Sequence, residues 1–322
     1  MHTLILTAAG KSTRFKKPKW ALTHPSGNLM MAEALRGTTC YDQLVVAMNT
    51  DDLRSFGVEN IQRELELVGY SPIIVDVGNT KTQTASVHRA LYAADVSGPF
   101  TVRECDNAFT YKCENVTGVA VVDLQTYDKP VIAKNKSYVK LGNPGKCVEK
   151  VVLSRYFCCG AYSFESVYLW DTTYTPERHT YISQVMDQLS FDVCVAHDYV
   201  DWGTQEDWDR YCADFKTLFI DIDGVLVESS HRSFHPRWGE SDLIQENVDA
   251  INSLQNAYVV LTTSRQETHR EVTEQQLQSV RYDQLLMGLP VCRRILINDR
   301  TDHDTASAVN LIRNAKELSK FL

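Results

Sequence analysis

The stretch "LTAAGKSTRFKKPKW" (residues 6–20) decides how this chain is read. An apolar run, "LILTA" (4–8), stops at Gly10 and gives way to Lys11, Ser12, Thr13, Arg14 and, after Pro18, Lys19. A strand ending in a loop of small residues lets backbone N–H groups approach phosphate oxygens. Fixed cations beside it neutralise charge that spreads onto those oxygens. The spacing is neither G-x-x-x-x-G-K-[ST] nor G-x-G-x-x-G, so this is neither a P-loop nor a dinucleotide-binding turn. Taken alone, the same residues also read as an ordinary strand and turn with a solvated basic loop.

Outward from this loop, short apolar runs alternate with amphipathic stretches, the pattern of an α/β fold. "QLVVAM" (43–48), "PIIVDV" (72–77), "FTVRE" (100–104) and "GVAVVDL" (118–124) read as buried strands, with a further pair at 146–154 and 157–164. Helices are expected at 53–69, 82–95 and 176–190. After a polar helix at 206–216 the pattern restarts. Strands at 217–223, 258–264 and 293–299 alternate with helices at 246–256, 266–280 and 305–322. Two domains are therefore expected, 1–214 and 215–322, consistent with a length of 322 residues.

The composition narrows the function. With 33 basic and 41 acidic residues the net charge is −8, which opposes non-specific binding to nucleic acid or an anionic membrane. Nine cysteines without scaffold or zinc-site spacing read as reduced thiols of a cytoplasmic protein. If Cys158 and Cys159 lie on a strand, they point to opposite faces. The sequence enters its first strand without a charged-then-apolar leader, and its apolar runs are shorter than a membrane span.

Five segments in order carry a resemblance across roughly residues 1–210. They are "AAGKSTRFKKPK" (8–19), "TQTAS" (82–86), "ECDNAF" (104–109), "VEKVVLS" (148–154) and "VDWGTQEDW" (200–208). This set resembles the nucleotidyltransferases that make activated sugars and related headgroups. The resemblance implies a Rossmann-like, GT-A-like mixed sheet that joins a nucleoside triphosphate (CTP, UTP or dTTP) to a small phosphomonoester and releases pyrophosphate. Ala9, Gly10 and Ser12 would cradle the nucleotide, and Gln83 and Thr84 would stand beside it. Arg14 and Lys19 would meet the triphosphate and Lys150 the acceptor phosphate. Asp106 and Asp201 would hold Mg²⁺. Ser12 stands where many members have glycine. Asp201 also reads as a turn or N-cap residue, and Glu149 as a structural partner of a neighbouring cation.

The second half opens on "TLFIDIDGVLVES" (217–229). Period-2 alternation points Asp221 and Asp223 the same way at the end of a strand, and Gly224 permits a sharp turn. One carboxylate can attack phosphorus while the other protonates the leaving oxygen. D-x-D-G-[VT]-[LV] resembles the first motif of the haloacid dehalogenase superfamily. "VVLTTSR" (259–265) and "ILINDR" (295–300) resemble two later motifs. This implies a small capless phosphatase domain working through an aspartyl-phosphate. Asp221, Asp223 and Asp299 would hold Mg²⁺, and Thr263, with Thr262 the alternative, would bind phosphate. "LMGLPVCRR" (286–294) has leucine where related sequences carry a lysine, so the cation falls to Arg294, Arg293 or Arg265. Asp302 and Asp304 read as turn residues, and His231 and His235 as polar contacts of a substrate-side loop at 228–242.

The expectation is a bifunctional enzyme for precursors of surface glycans, with homo-oligomer formation left open. Its rivals are a nucleotidyltransferase with a non-catalytic second domain and a glycosyltransferase using a nucleotide-sugar.

Overall fold

The computed structural model describes the chain except for residues 14, 16, 143–144, 230–237, 292–294, 296–307 and 312–313. The chain divides into two compact units, Met1–Trp208 and Asp209–Leu322. This division falls six residues before the boundary expected from sequence.

The first unit is built on a mixed sheet. Its strands are β1 (Thr3–Thr7), β3 (Gln43–Met48), β4 (Pro72–Asp76), β5 (Phe100–Glu104), β7 (Gly118–Asp123), β10 (Tyr156–Phe164) and β11 (Asp192–Val195). They run in the order β11-β7-β10-β5-β1-β3-β4, and the short β8 (Tyr138–Lys140) and β9 (Lys146–Val148) extend it beside β10. β1 pairs parallel with β3 and β5, whereas β10 is antiparallel to both β5 and β7. Alternate residues feed two cores. Leu4, Leu6, Leu44 and Val46 face one side, and Ile5, Val45, Ala47 and Val102 face the other. Burial on both faces is why these strands read as continuous apolar runs. Cys159 and Cys158 follow the same alternation into opposite cores. The eight described cysteines are free thiols.

A smaller sheet, β12-β6-β2, combines β2 (Thr38–Thr39), β6 (Asn107–Lys112) and β12 (His197–Asp201). The helices of this unit are α1 (Met30–Leu35), α2 (Thr50–Phe56), α3 (Val58–Leu67), α4 (Gln83–Ala93), α5 (Val167–Thr173) and α6 (Ile182–Met186). α7 (Gln205–Asp214) spans the division between the units. Among the described residues, no helix is long and apolar enough to cross a membrane.

Several expected elements are corrected. The helix expected at 53–69 is two helices, because Gly57 adopts φ 80 between them. The strand expected at 146–154 stops at Val148, and Lys150 turns the chain at φ 56. The helix expected at 176–190 is confined to α6, whose start is set by Gln184 Oε1 accepting from the Thr180 and Tyr181 N–H groups.

In the second unit, β13 (Lys216–Asp221), β14 (Ala257–Thr262) and β15 (Gln284–Leu286) form a parallel sheet in that order. α8 (Gln245–Asn252) and α9 (Arg270–Gln276) accompany it. Its core gathers Ile220, Ile222, Leu226, Val248, Ile251, Val259 and Leu261. The third strand is thus 284–286, while the strand expected at 293–299 falls almost wholly outside the described residues. The closing helix expected at 305–322 is not helical at 308–311 or 314–317. Asn314 sits at φ 60 and donates its backbone N–H to the Gly224 carbonyl at 2.8 Å. The Leu318 N–H goes to Asn247 Oδ1 at 3.1 Å, so long-range partners take bonds that a helix would have made locally.

Candidate functional site

β1, β5 and the β6–β12 pair converge on a cavity of about 830 Å³ in the first unit. Ala9, Gly10 and Ser12 line it at the exit of β1. Ser12 adopts φ 46, the left-handed conformation that glycine takes without penalty. Its hydroxyl offsets part of that strain by accepting the Lys19 backbone N–H at 2.9 Å. This accounts for a serine being tolerated at a position where glycine is the simpler choice. Arg14 lies outside the described residues.

The two aspartates expected to act together are brought together by strand register. β12 runs antiparallel to β6 with Asp201 opposite Asn107, the neighbour of Asp106. Trp202 N–H donates to the Asp106 carbonyl at 2.9 Å and fixes the join. Each carboxylate holds a lysine. Lys19 Nζ is 2.6 Å from Asp106 Oδ2 and also donates to the Gly203 carbonyl at 2.7 Å. Lys136 Nζ is 2.6 Å from Asp201 Oδ2 and 2.8 Å from the Tyr199 hydroxyl. Gly203 faces both acids. A Cβ placed there would stand 3.0 Å from Asp201 Oδ1 and 3.8 Å from Asp106 Oδ2. Burial works to raise the Asp106 pKa, but the Lys19 ammonium, helped by Lys136 and Arg103, outweighs it and holds the acid below its usual range.

The turn reading of Asp201 is also realised, because Oδ1 accepts the Gly203 N–H at 3.1 Å. Thr204 takes the cap of α7 instead, accepting the Asp207 N–H at 3.1 Å. Among the described residues, no group of three or more His, Cys, Asp or Glu forms a metal-ligand cluster. Asp106 and Asp201 do offer carboxylate oxygens around a point that the absent Gly203 side chain leaves open. Oxygen donors of this kind suit a hard divalent cation.

Elsewhere in the cavity, Lys150 Nζ contacts the Tyr181 hydroxyl at 2.8 Å and lies 4.4 Å from the centre of its ring. Glu149 accepts from the hydroxyls of Ser137 and Ser183, the latter at 2.8 Å, and stands 3.4 Å from Lys150. It therefore acts as the structural partner expected for a neighbouring cation. Gln83 lines the cavity and donates to Glu104 Oε1 at 2.7 Å. Thr84 is fully buried, its hydroxyl donates to the His179 carbonyl at 2.5 Å, and it is not among the residues that line the cavity. Two site residues escaped the sequence reading. Lys136 follows a single turn of 3-10 helix with no periodic signal, and Glu104 reads as an ordinary strand end.

In the second unit Asp221 and Thr262 are register partners at the ends of β13 and β14. Asp223 accepts from Thr263 Oγ1 at 3.2 Å and from Arg265 Nη2 at 2.7 Å and Nε at 3.0 Å. Arg265 is 1% exposed, and Thr273 and Gln276 brace its remaining nitrogen at 3.2 and 2.8 Å. Asp223, Thr263 and Arg265 thus form one cluster. Asp299, Arg294, Arg293, Asp302, Asp304, His231 and His235 lie outside the described residues.

No family model and no curated protein matches the chain. Among solved structures, it is similar to a nucleoside-diphosphate-sugar pyrophosphorylase from Vibrio cholerae RC9, with 14% identity and a TM-score of 0.50. That match covers 65% of this chain and 98% of the other. It is also similar to the inositol-1-phosphate CTP transferase of T. maritima, with 14% identity and a TM-score of 0.51, covering 64% and 90%. At this identity the likeness is one of fold alone, shared with these two proteins over about two-thirds of the chain.

Proposed function

We propose that the first unit transfers a nucleotidyl group from CTP, UTP or dTTP to a small phosphomonoester, such as a sugar, polyol or headgroup phosphate. A phosphate oxygen of the acceptor forms the new bond to the α-phosphorus. The bond to the β-phosphate bridge breaks, and pyrophosphate departs with the electron pair. The acceptor oxygen is already ionised, so the site needs charge compensation and alignment more than it needs a base. The observation that carries this reading is the pair Asp106 and Asp201, each with its own lysine, facing one point of the cavity beside the loop after β1.

Asp106 and Asp201 are the residues that would hold Mg²⁺, which when bound supplies positive charge between the two reacting anions. Backbone N–H groups of residues 9–12 support the triphosphate, with Lys19 set against it. Lys136, just after a 3-10 turn, and Lys150, in the turn after β9, supply further cations, and Lys150 is the one assigned to the acceptor phosphate. The likeness to the V. cholerae and T. maritima enzymes supports this reading through the fold. The test is a matrix of NTPs against phosphomonoesters read as pyrophosphate. A nucleotide-sugar glycosyltransferase would instead release UDP or GDP.

For the second unit, taken as a domain of its own, the favoured reading is phosphomonoester hydrolysis. Asp221 attacks phosphorus, Asp223 protonates the leaving alkoxide, and water then hydrolyses the aspartyl-phosphate. The contact of Thr263 Oγ1 with Asp223 beside the end of β13 favours it. Asp221 and Asp223 would hold Mg²⁺ together with Asp299. The expected result is Mg²⁺-dependent phosphate release from p-nitrophenyl phosphate, lost in Asp221→Asn. Absence of release from a panel of sugar phosphates leaves this unit as a binding module. Together the two activities would serve the making and trimming of activated glycan precursors.

A further inference from the structure

Arg103 lies in β5 and is 0% exposed. A charge in such a place is costly unless its donors are used. Nη1 donates to the Glu104 carbonyl at 2.9 Å and to Asn107 Oδ1. Nη2 donates to the carbonyls of Asn107 at 2.9 Å and of Ala34, in α1, at 3.0 Å. The guanidinium carbon stands 3.7 Å from the centre of the Phe109 ring. Burial lowers the pKa of this arginine to about 10, so it keeps its charge at neutral pH. Yet among the described residues no carboxylate bonds to it, and its Nε has no hydrogen-bond partner. Well-packed apolar groups often serve a core at least as well as a buried charge, so stability alone does not account for an arginine here.

What the guanidinium holds is the turn that carries Asp106. The chain leaves the large sheet at Glu104 and joins the small one at Asn107, with only Cys105 and Asp106 between them. The two carbonyls that bracket this turn both accept from Arg103, one from each terminal nitrogen. The Asn107 side chain is a third grip, and Gly160 at φ 94 makes room for it. A Cβ on Gly160 would stand 2.8 Å from Asn107 Nδ2. Asn107 is also the register partner of Asp201. One buried side chain therefore holds both the turn bearing the first acid and the strand residue opposite the second. Asp106 and Asn107 line the cavity, and Arg103 stands behind them. We infer that Arg103 is a positioning residue, which sets the spacing of Asp106 and Asp201 for a divalent cation without touching the cation or either substrate. This inference rests on the nucleotidyl-transfer reading of the cavity.

The probe is Mn²⁺, titrated into the full chain without nucleotide and followed by loss of the free-ion signal in electron paramagnetic resonance. The binding that Asp106→Ala removes defines the site of the first unit and separates it from any in the second. Arg103→Lys keeps the charge, but one ammonium cannot span both carbonyls of the turn. Its affinity for Mn²⁺ at that site should fall by about 10-fold or more, as for the loss of a group that orients a metal ligand. Phe164→Leu is the control for general loosening, because Phe164 is buried opposite Phe100 at the start of β5. That variant should stay within about twofold of the unmodified chain. Should Arg103→Lys not fold, Asn107→Ala takes its place, removing one grip and leaving the guanidinium on its backbone carbonyls. The expected fall is then about threefold or more. Unchanged affinity in the folded variant, or an equal fall in Phe164→Leu, would overturn the inference and leave the parent reading standing. If the unmodified chain shows no Mn²⁺ binding that Asp106→Ala removes, the reading of the two acids as a cation site fails, and this inference fails with it.

Discussion

The two acidic clusters of this chain hold their cations in opposite ways. In the first unit, Lys19 and Lys136 each meet a carboxylate with a single ammonium on a long stem, within a cavity wide enough for a ligand. In the second, the Arg265 fork grips Asp223 through two nitrogens while its outer end is braced by Thr273 and Gln276. A lysine can leave its carboxylate for a phosphate by rotating a flexible chain. A planar, buried guanidinium cannot do so without leaving several donors unpaired. The first arrangement leaves its cations free to move onto a ligand, and the second holds Asp223 in one orientation beside the end of β13. Substitutions should therefore separate the two in what they damage.

The largest effect is expected at Lys19. Lys19→Met should reduce pyrophosphate release by about 10³-fold, and Lys136→Met by about 10²-fold, the range for losing a preorganised charge from a transition state. Both leave a largely buried carboxylate without its ammonium, but one that lines a cavity open to water, so the stability cost should stay below about 2 kcal/mol and well below the loss of turnover. Denaturant unfolding alongside the kinetic assay checks both claims. A loss of stability as large as the loss of turnover would erase the contrast.

Arg265→Met should behave the other way. It leaves Asp223 without its buried partner, and unfolding of the second unit should show a cost of about 3 kcal/mol. Replacement by lysine should recover only part, since one ammonium cannot reproduce the two-nitrogen contact. Ser12→Gly is expected to be small, below about 1 kcal/mol, because relief of the left-handed backbone offsets loss of the hydroxyl bond to Lys19. Its effect should be read by chemical denaturation.

A pH-dependent effect away from the site sharpens the background against which these are measured. His24 is pushed down to about 4 by burial, opposed by Glu33 and assisted by Arg36. The folded state therefore takes up this proton less readily than the unfolded chain. Its contribution to stability is complete above pH 6.5 and is lost as pH falls from there to about 4. His24→Gln should flatten that part of the stability profile without altering pyrophosphate release near neutral pH.

Much of the first unit was legible because its strands are buried on both faces. "QLVVAM" and "FTVRE" coincide with β3 and β5 residue for residue. The loop after β1 was legible from its small residues and cations. β6 and β12 were not, since "NAFTYK" and "HDYVD" carry mixed polarity and their pairing spans some ninety residues of sequence. Yet that pairing is what brings Asp106 beside Asp201. Lys136 was hidden for a similar reason: its role depends on tertiary approach to Asp201, which no local period encodes. The final segment misled in the opposite direction. Its helical pattern is real, but Asn314 and Leu318 bond to distant residues instead.

The most direct test of the account is pyrophosphate release from CTP, UTP or dTTP with a panel of phosphomonoesters and Mg²⁺, comparing the unmodified chain with Asp106→Ala and Asp201→Ala. The account predicts release that requires both substrates and Mg²⁺ and falls by about 10³-fold or more in either variant. Release of UDP or GDP from a nucleotide-sugar, or pyrophosphate release that survives both substitutions, would contradict it.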